Sequence, residues 1–232
     1  MNPKVKVCGI TNTEDALMAI NAGASFIGII FAPSSHRQVS HEAAKEIGAV
    51  VNGKAQLVGV FQNQHVDCVN EVAQELELDY VQLHGSESPE FIQACKVPVI
   101  KTFEYRLTGA LKLYNGDKQV QSFTEYNQAQ FLLFDRAKKN DLHNEISFET
   151  QAKSLLNLIG ETACNKPFFI AGGLKAATVQ KAIALLNPYG VDVASGVETD
   201  AGKKSSLLIQ QFLEECKRAA SGSAGDWPAA RA

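Results

Sequence analysis

The stretch Lys6-Val7-Cys8-Gly9-Ile10-Thr11 joins a short apolar run, Val5–Val7, to the start of a helix. Polar residues at positions 11–15 supply N-cap side chains and the acidic residues of a first turn. Cys8 therefore lies at the junction between a predicted buried strand and a predicted helix. Ligands of parallel α/β folds bind at this carboxyl end of the strands. The thiol is a candidate chemical group, and we expect the other strand ends to complete its site.

Eight strand-like runs recur along the chain, and most are continuously apolar, as in parallel strands that are buried on both faces. They are Val5–Val7, Phe26–Phe31, Gln56–Phe61, Tyr80–Leu83, Val99–Phe103, Phe131–Phe134, Phe168–Ala171 and Val191–Ala194. Helical patterns alternate with them, at Thr13–Ala22, His41–Val51, Val66–Leu76, Pro89–Lys96, Ser147–Ile159, Thr178–Leu186 and Ser205–Ala219. The poorly patterned residues 104–130 are predicted to hold one more helix.

This alternation predicts right-handed βαβ units and an α/β fold, a single (β/α)8 TIM barrel, because such barrels typically have about 250 residues. A doubly wound open sheet is the structural alternative, although no GxGxxG motif follows the first strand. We expect the barrel to occupy residues 1–220. Residues 221–232 become rich in Ser, Gly and Ala and include Trp227, which indicates a flexible tail that is native or derived from an expression vector.

Composition excludes several classes of function. The 232 residues carry a net charge of −3 without a basic block, so neither nucleic acid nor a membrane is an expected partner. Signal-peptide and membrane-spanning patterns are lacking, which predicts a cytoplasmic protein. Scattered cysteines without a CxxC pair disfavour disulfides and structural zinc. Apart from Cys8 they are predicted to be small buried side chains, at Cys68, Cys95, Cys164 and Cys216.

The predicted strand ends carry further candidates. Asp135 follows an apolar strand, where a carboxyl group tends to have a raised pKa and can act as a general acid. The alternative is a helix cap or an ion pair with Arg136. Arg37 is either a solvated loop charge or a two-pronged clamp for a carboxylate. His84 is a loop residue or a ligand contact. The histidines have no spacing that suggests a metal site.

Two small-residue turns resemble each other. Gly172-Gly173 and Ser195-Gly196 follow the seventh and eighth strands and precede predicted helices or their loops. Exposed backbone N–H groups at such positions favour a phosphate, and the loops after strands seven and eight are the usual phosphate site of these barrels. A tight turn with no ligand is the alternative for Gly172-Gly173.

Six stretches together resemble the phosphoribosylanthranilate isomerase family, over residues 4 to about 219. They are Lys6-Val7-Cys8-Gly9-Ile10-Thr11, Gly28-Ile29-Ile30-Phe31 with Ser34-Ser35-His36-Arg37, Val58-Gly59-Val60-Phe61, Val81-Gln82-Leu83-His84-Gly85, Ala171-Gly172-Gly173-Leu174 and Val191-Asp192-Val193-Ala194-Ser195-Gly196-Val197-Glu198. The resemblance implies a (β/α)8 barrel of tryptophan biosynthesis, without a metal or organic cofactor. We expect a monomer that acts on a small phosphorylated substrate.

The resemblance also implies an Amadori rearrangement of N-(5-phosphoribosyl)anthranilate to 1-(2-carboxyphenylamino)-1-deoxyribulose 5-phosphate. Asp135 would protonate the ribose ring oxygen, and Cys8 would remove the proton from C2 of the resulting Schiff base. Arg37 would hold the anthranilate carboxylate. The other substrate-binding residues implied are Gln82, His84, Gly172, Gly173, Ser195 and Gly196.

The chain departs from the family in the segment after Asp135. No glycine occurs between Asp117 and Ile159, although the family usually has a glycine-rich closing loop at residues 136–146. Phe148-Glu149 replaces a usual Phe-Asp pair, and Ser205 replaces a frequent aspartate as a helix cap. Two alternatives stay open: an aminoaldose isomerase of the histidine pathway, which the thiol of Cys8 disfavours, and a phosphate-binding barrel that has lost catalysis.

Overall fold

Eight parallel strands close into a barrel in the computed structural model, which describes residues 2–108, 110–136, 148–161 and 166–222. The strands of these residues are β1 (Lys4–Cys8), β2 (Phe26–Ile30), β3 (Gln56–Phe61), β4 (Tyr80–Leu83), β5 (Val99–Thr108), β6 (Ala110–Asn115), β7 (Lys118–Val120), β8 (Phe131–Arg136), β9 (Phe168–Ala171), β10 (Gly190–Val193), β11 (Glu198–Asp200) and β12 (Lys203–Lys204). The barrel order is β1-β2-β3-β4-β5-β8-β9-β10, and β10 pairs with β1. The predicted barrel is confirmed, and the open sheet is wrong.

Helices pack around the barrel where the sequence predicts them, within three residues at each end. They are α1 (Thr13–Ala22), α2 (His41–Val51), α3 (Val66–Glu75), α4 (Pro89–Ala94), α5 (Phe148–Glu161), α6 (Ala176–Leu186) and α7 (Ser206–Gly222). Side-chain caps define their starts: Asn12 accepts a 2.8 Å hydrogen bond from the Asp15 amide, and Ser40 accepts one from the Ala43 amide. Ser205 caps α7 in the same way, by accepting from the Leu208 amide.

The helix predicted within residues 104–130 is wrong. β5 instead runs on to Thr108 and forms an antiparallel meander with β6 and β7, followed by one short 3-10 turn at Thr124–Tyr126. The two-residue turn Gly116-Asp117 joins β6 to β7, and such a pair is typical of a β-hairpin. Alternate residues of these strands are buried, including Tyr105 and Leu113. This period of two fits a strand and not a helix.

The barrel interior is a packed aromatic core below the mouth. Phe26, Phe131 and Phe169 meet edge to face, with ring centroids 5.3 to 6.4 Å apart. A separate, larger apolar layer lies between the strands and the helices. Because the interior is filled at this level, a ligand has room only above it, at the carboxyl ends of the strands.

Some predictions need correction, and others fall outside the described residues. The prediction that the four cysteines other than Cys8 are all buried is wrong, because Cys68 is exposed on α3 and Cys95 is only partly buried. Of these four, Cys216 is the one that the described residues show to be buried. Four predicted features lie wholly or mostly outside the described residues. They are Cys164, the glycine-free segment after Asp135, Trp227 and the tail. In the helices that are described, none has both the length and the apolar composition needed to cross a membrane.

Candidate active site

Most predicted site residues meet at one end of the barrel. Cys8 ends β1, Gln82 lies on β4 with His84 directly after it, and Asp135 lies near the end of β8. The loop after β2 holds Arg37, and the turns after β9 and β10 hold the remaining four residues, Gly172, Gly173, Ser195 and Gly196. Parallel strands bring their carboxyl ends to one edge, so residues far apart in the chain surround a single mouth.

Cys8 lies in a buried and strongly charged part of this mouth. Its side chain faces the barrel interior beside Lys6, whose ammonium is 3.0 Å from Asp192 Oδ1 on β10. Burial raises the pKa of the Cys8 thiol, and the charge of Lys6 opposes that rise. Lys6 and Lys204 are thus sources of positive charge near the thiol.

Arg37 is held in an ion-pair cluster above Cys8. Its Nε and Nη2 donate to the two carboxylate oxygens of Glu198, at 2.7 and 2.6 Å. Lys204 Nζ donates to the same carboxylate at 2.7 Å and to the Cys8 carbonyl oxygen at 2.6 Å. A fork-to-fork pair of this kind fixes the plane of the guanidinium, and the remaining N–H groups of Arg37 stay available for another acceptor.

The Glu198 cluster makes stability depend on pH. Burial alone would raise the pKa of Glu198, but hydrogen bonds from Arg37 and Lys204 lower it to about 2, from an ordinary 4.5. The folded state therefore holds the carboxylate more tightly than the unfolded chain does. This stabilisation is complete above pH 4.5 and is lost as the pH falls towards 2.

Replacing Glu198 with glutamine tests this dependence. We expect the difference in free energy of unfolding between wild type and Glu198→Gln to shrink by about 3 kcal/mol between pH 6 and pH 2. Urea unfolding followed by circular dichroism at several pH values measures the difference. Glu71→Gln, a change at an exposed carboxylate on α3, is the control and should show a small, nearly constant difference. A constant difference for Glu198→Gln would contradict the prediction.

Asp135 belongs to a polar chain on the opposite side of the mouth. Its Oδ2 is 3.6 Å from His84 Nε2, and His84 Nδ1 is 3.4 Å from Gln82 Nε2. Gln82 also donates to Thr102 Oγ1 at 3.2 Å. With the Gln82 amide donating to Nδ1, the imidazole proton lies on Nε2 and faces Asp135. The His84 imidazole therefore lies between the Gln82 amide and the Asp135 carboxylate.

The turn after β9 requires glycine twice in succession. Gly172 and Gly173 have φ angles of +95° and +72°, in the left-handed region where side chains are strained. Arg136 crosses this turn: its backbone packs on Gly172, and a Cβ at Gly173 would lie 3.0 Å from Arg136 Nη2. Gly196 packs equally tightly against the Leu174 carbonyl. The two turns that were predicted from small residues therefore lie against each other.

Several charged residues of the mouth were missed from the sequence. Lys6, Asp192, Glu198 and Lys204 are close neighbours of Cys8 or of Arg37. Glu198 was visible, since it ends a stretch that resembles the family, and Lys6 opens another. Lys204 lies in none of the stretches that resemble the family, and it reaches β1 only because the β11–β12 hairpin folds back toward Cys8. Among the described residues, no group of three or more histidine, cysteine, aspartate or glutamate side chains could hold a metal ion.

Comparison with known proteins decides the family. A model of the family described as N-(5'phosphoribosyl)anthranilate (PRA) isomerase matches residues 5–215, nearly the whole barrel. The chain belongs to this family. The N-(5'-phosphoribosyl)anthranilate isomerase of Pelobacter propionicus is 36% identical over 220 residues, which cover 95% of this chain and 98% of the relative.

Solved structures of phosphoribosylanthranilate isomerases share the fold. The crystal structure of the Thermus thermophilus protein is 34% identical, with a TM-score of 0.74 over 93% of this chain and 98% of that chain. Another structure of such an isomerase, 29% identical with a TM-score of 0.71, covers 93% of this chain and 99% of its own. That second structure contains reduced 1-(o-carboxyphenylamino)-1-deoxyribulose 5-phosphate.

Proposed function

We propose that the chain converts N-(5'-phosphoribosyl)anthranilate to 1-(2-carboxyphenylamino)-1-deoxyribulose 5-phosphate in tryptophan biosynthesis, with Cys8 as general base and Asp135 as general acid. The family match over residues 5–215 carries the reaction. The presence of both side chains at one barrel mouth supports their roles. An Amadori rearrangement needs two proton transfers at different atoms, and acid–base groups on separate strands can reach different sides of one substrate.

The first step is opening of the ribose ring. Asp135 protonates the ring oxygen, and the bond from that oxygen to C1 breaks as the anthranilate nitrogen forms a Schiff base. His84, 3.6 Å from Asp135, holds the carboxyl group in place. Cys8 then takes the proton from C2, and the electron pair moves to the nitrogen to give an enolamine. Tautomerisation of the enolamine yields the ketone.

Substrate binding uses the two ends of the mouth. Arg37 binds the anthranilate carboxylate with the N–H groups that Glu198 leaves unused. Backbone amides of the paired turns at residues 172–173 and 195–196 bind the phosphate. Gln82 is buried next to His84 and supports the imidazole. It therefore contributes to substrate binding indirectly, by holding the His84 side chain in place.

Residues 1–220 form one catalytic domain, and residues 221–232, of which α7 includes the first two, have no catalytic role. The protein works in the cytoplasm as a monomer. A monomer is supported by the described surface, where the exposed large hydrophobic side chains are single leucines on three helices: Leu17, Leu156 and Leu207.

Turnover of two substrates tests the function. We expect kcat/KM of the purified chain for N-(5'-phosphoribosyl)anthranilate to be at least about 100-fold higher than for the aminoaldose of the histidine pathway. Loss of anthranilate fluorescence measures the first reaction. Expression should also rescue a tryptophan auxotroph that lacks this step. Saturable binding of a reduced product analogue without turnover, by folded protein, would contradict catalysis and favour a barrel that only binds phosphate compounds.

A further inference from the structure

We propose that Lys6 is a positioning residue that favours the thiolate form of Cys8, with Asp192 anchoring the lysine ammonium. The inference rests on the proposed role of Cys8 as general base. A thiol must lose its proton to act as a base, and an unperturbed cysteine has a pKa of about 8.5, above neutral pH. A buried cysteine needs a counter-charge in addition.

Lys6 and Cys8 share one side of β1. Successive side chains of a strand alternate between its faces, so these two residues face the barrel interior while Val5 and Val7 pack against the helices. Lys6 is fully buried, yet its ammonium has a carboxylate within hydrogen-bond distance, Asp192 at 3.0 Å. The charges of Asp192 and of the Cys8 thiolate outweigh burial and raise the pKa of Lys6, so the side chain stays an ammonium.

Gly28 makes room for this arrangement. It is the β2 partner of Cys8 across the sheet. A Cβ atom on Gly28 would lie 2.8 Å from Cys8 Sγ and 3.0 Å from Lys6 Nζ. The sulfur and the ammonium therefore press against the same side of one glycine, and any larger residue there would push one of them away.

Charged side chains from several elements surround Cys8. They come from β1, the loop after β2, β10, β11 and β12, and are Lys6, Arg37, Asp192, Glu198 and Lys204. Three are cations and two are carboxylates. On α1, Asp15 adds a third carboxylate, which is buried and accepts a 3.1 Å hydrogen bond from the Lys204 amide.

Lys6 is the cation in this cluster that is best placed for the sulfur. Arg37 and Lys204 both bind the Glu198 carboxylate, and Lys204 contacts the carbonyl oxygen of Cys8 and not its side chain. Lys6 donates one hydrogen bond, from one of its three N–H groups, to Asp192. A cation beside an acid lowers the pKa of that acid by about 1–3 units.

Titration of the Cys8 thiol tests the proposal without relying on turnover. The rate of iodoacetamide alkylation of Cys8 is measured against pH by mass spectrometry of its peptide, in folded full-length protein. We expect Lys6→Met to raise the midpoint by about 1–3 pH units, and Lys6→Arg to keep it near wild type because the cation is retained. Lys4→Met, which removes an exposed lysine from the same strand, is the control and should leave the midpoint unchanged.

Asp192→Asn gives a change of opposite sign. Asparagine still accepts the hydrogen bond that anchors Lys6 but removes a negative charge near the sulfur, so the midpoint should fall. This variant can be titrated even if Lys6→Met proves too unstable. The acidic limb of the kcat/KM profile should move with the midpoint in each variant. This coupling distinguishes a charge effect from a general loss of structure.

Two results would overturn the assignment. One is a folded Lys6→Met protein whose alkylation midpoint equals that of wild type. The other is an Asp192→Asn midpoint that stays the same or rises. A chain with no isomerase turnover but with the expected midpoint shifts would instead refute the proposed function and leave the Lys6–Cys8 relation standing.

Discussion

Replacing Cys8 with alanine should lower kcat for N-(5'-phosphoribosyl)anthranilate by about 10²–10⁴-fold, the usual contribution of a positioned general base. Cys8→Ser should be nearly as inactive, because an alcohol of similar size does not ionise near neutral pH. Cys68→Ala is the matched control, since that cysteine is exposed on α3 and is not one of the candidate site residues. Its kcat should equal that of wild type.

Asp135→Asn should cause a loss of the same order, because an amide cannot supply the proton that opens the ribose ring. KM should change far less than kcat in both variants, since neither group is proposed to bind the phosphate or the anthranilate carboxylate. Thermal unfolding shows whether each variant stays folded. Turnover within about tenfold of wild type in either folded variant would refute its assignment as acid or base.

Periodicity predicted the barrel well because most of its strands are apolar on both faces. A continuous run such as Phe131–Phe134 is visible without any knowledge of its neighbours. The extension of β5 was not visible in this way, since the strand becomes one-sided beyond Phe103 and its burial depends on β6 pairing with it. The turn Gly116-Asp117 was the local signal for that hairpin.

The candidate site was predictable only where its residues stand at strand ends. Cys8 and Asp135 are such residues, and the topology of parallel strands brings them to one mouth. The cluster around Arg37 was not predictable, because Glu198 and Lys204 reach it through a short hairpin whose register no sequence pattern reveals. Arg37 was expected to be free for a substrate carboxylate, and the structure shows two of its donors already used.

Lys101 and Glu87 form the most deeply buried ion pair of the described residues that does not face Cys8. The side chains are 0% and 2% exposed, and Lys101 Nζ is 2.7 Å from Glu87 Oε2. The lysine also donates to the carbonyl oxygens of Leu83 and Gly85, on either side of His84. Glu87 accepts from the Gly85 amide. The pair thus fixes the loop that presents His84 to Asp135.

Removing one partner of this pair should be far more costly than removing both charges. Lys101→Met leaves the Glu87 carboxylate buried without its cation, and we expect the free energy of unfolding to fall by about 3–5 kcal/mol. Lys101→Met combined with Glu87→Gln should recover most of that loss, because the amide is neutral and still accepts from the backbone. Guanidinium unfolding of the single and double variants measures both values.

A surface ion pair of similar geometry gives the matched control. Lys45 Nζ is also 2.7 Å from a carboxylate, that of Glu75, but both side chains are about half exposed, at 54% and 49%. Lys45→Met should therefore cost at most about 1 kcal/mol. If Lys101→Met costs no more than this control, burial of the pair does not carry the expected penalty. A double variant as unstable as Lys101→Met alone would show instead that packing of the lysine chain, and not the unpaired charge, holds the His84 loop.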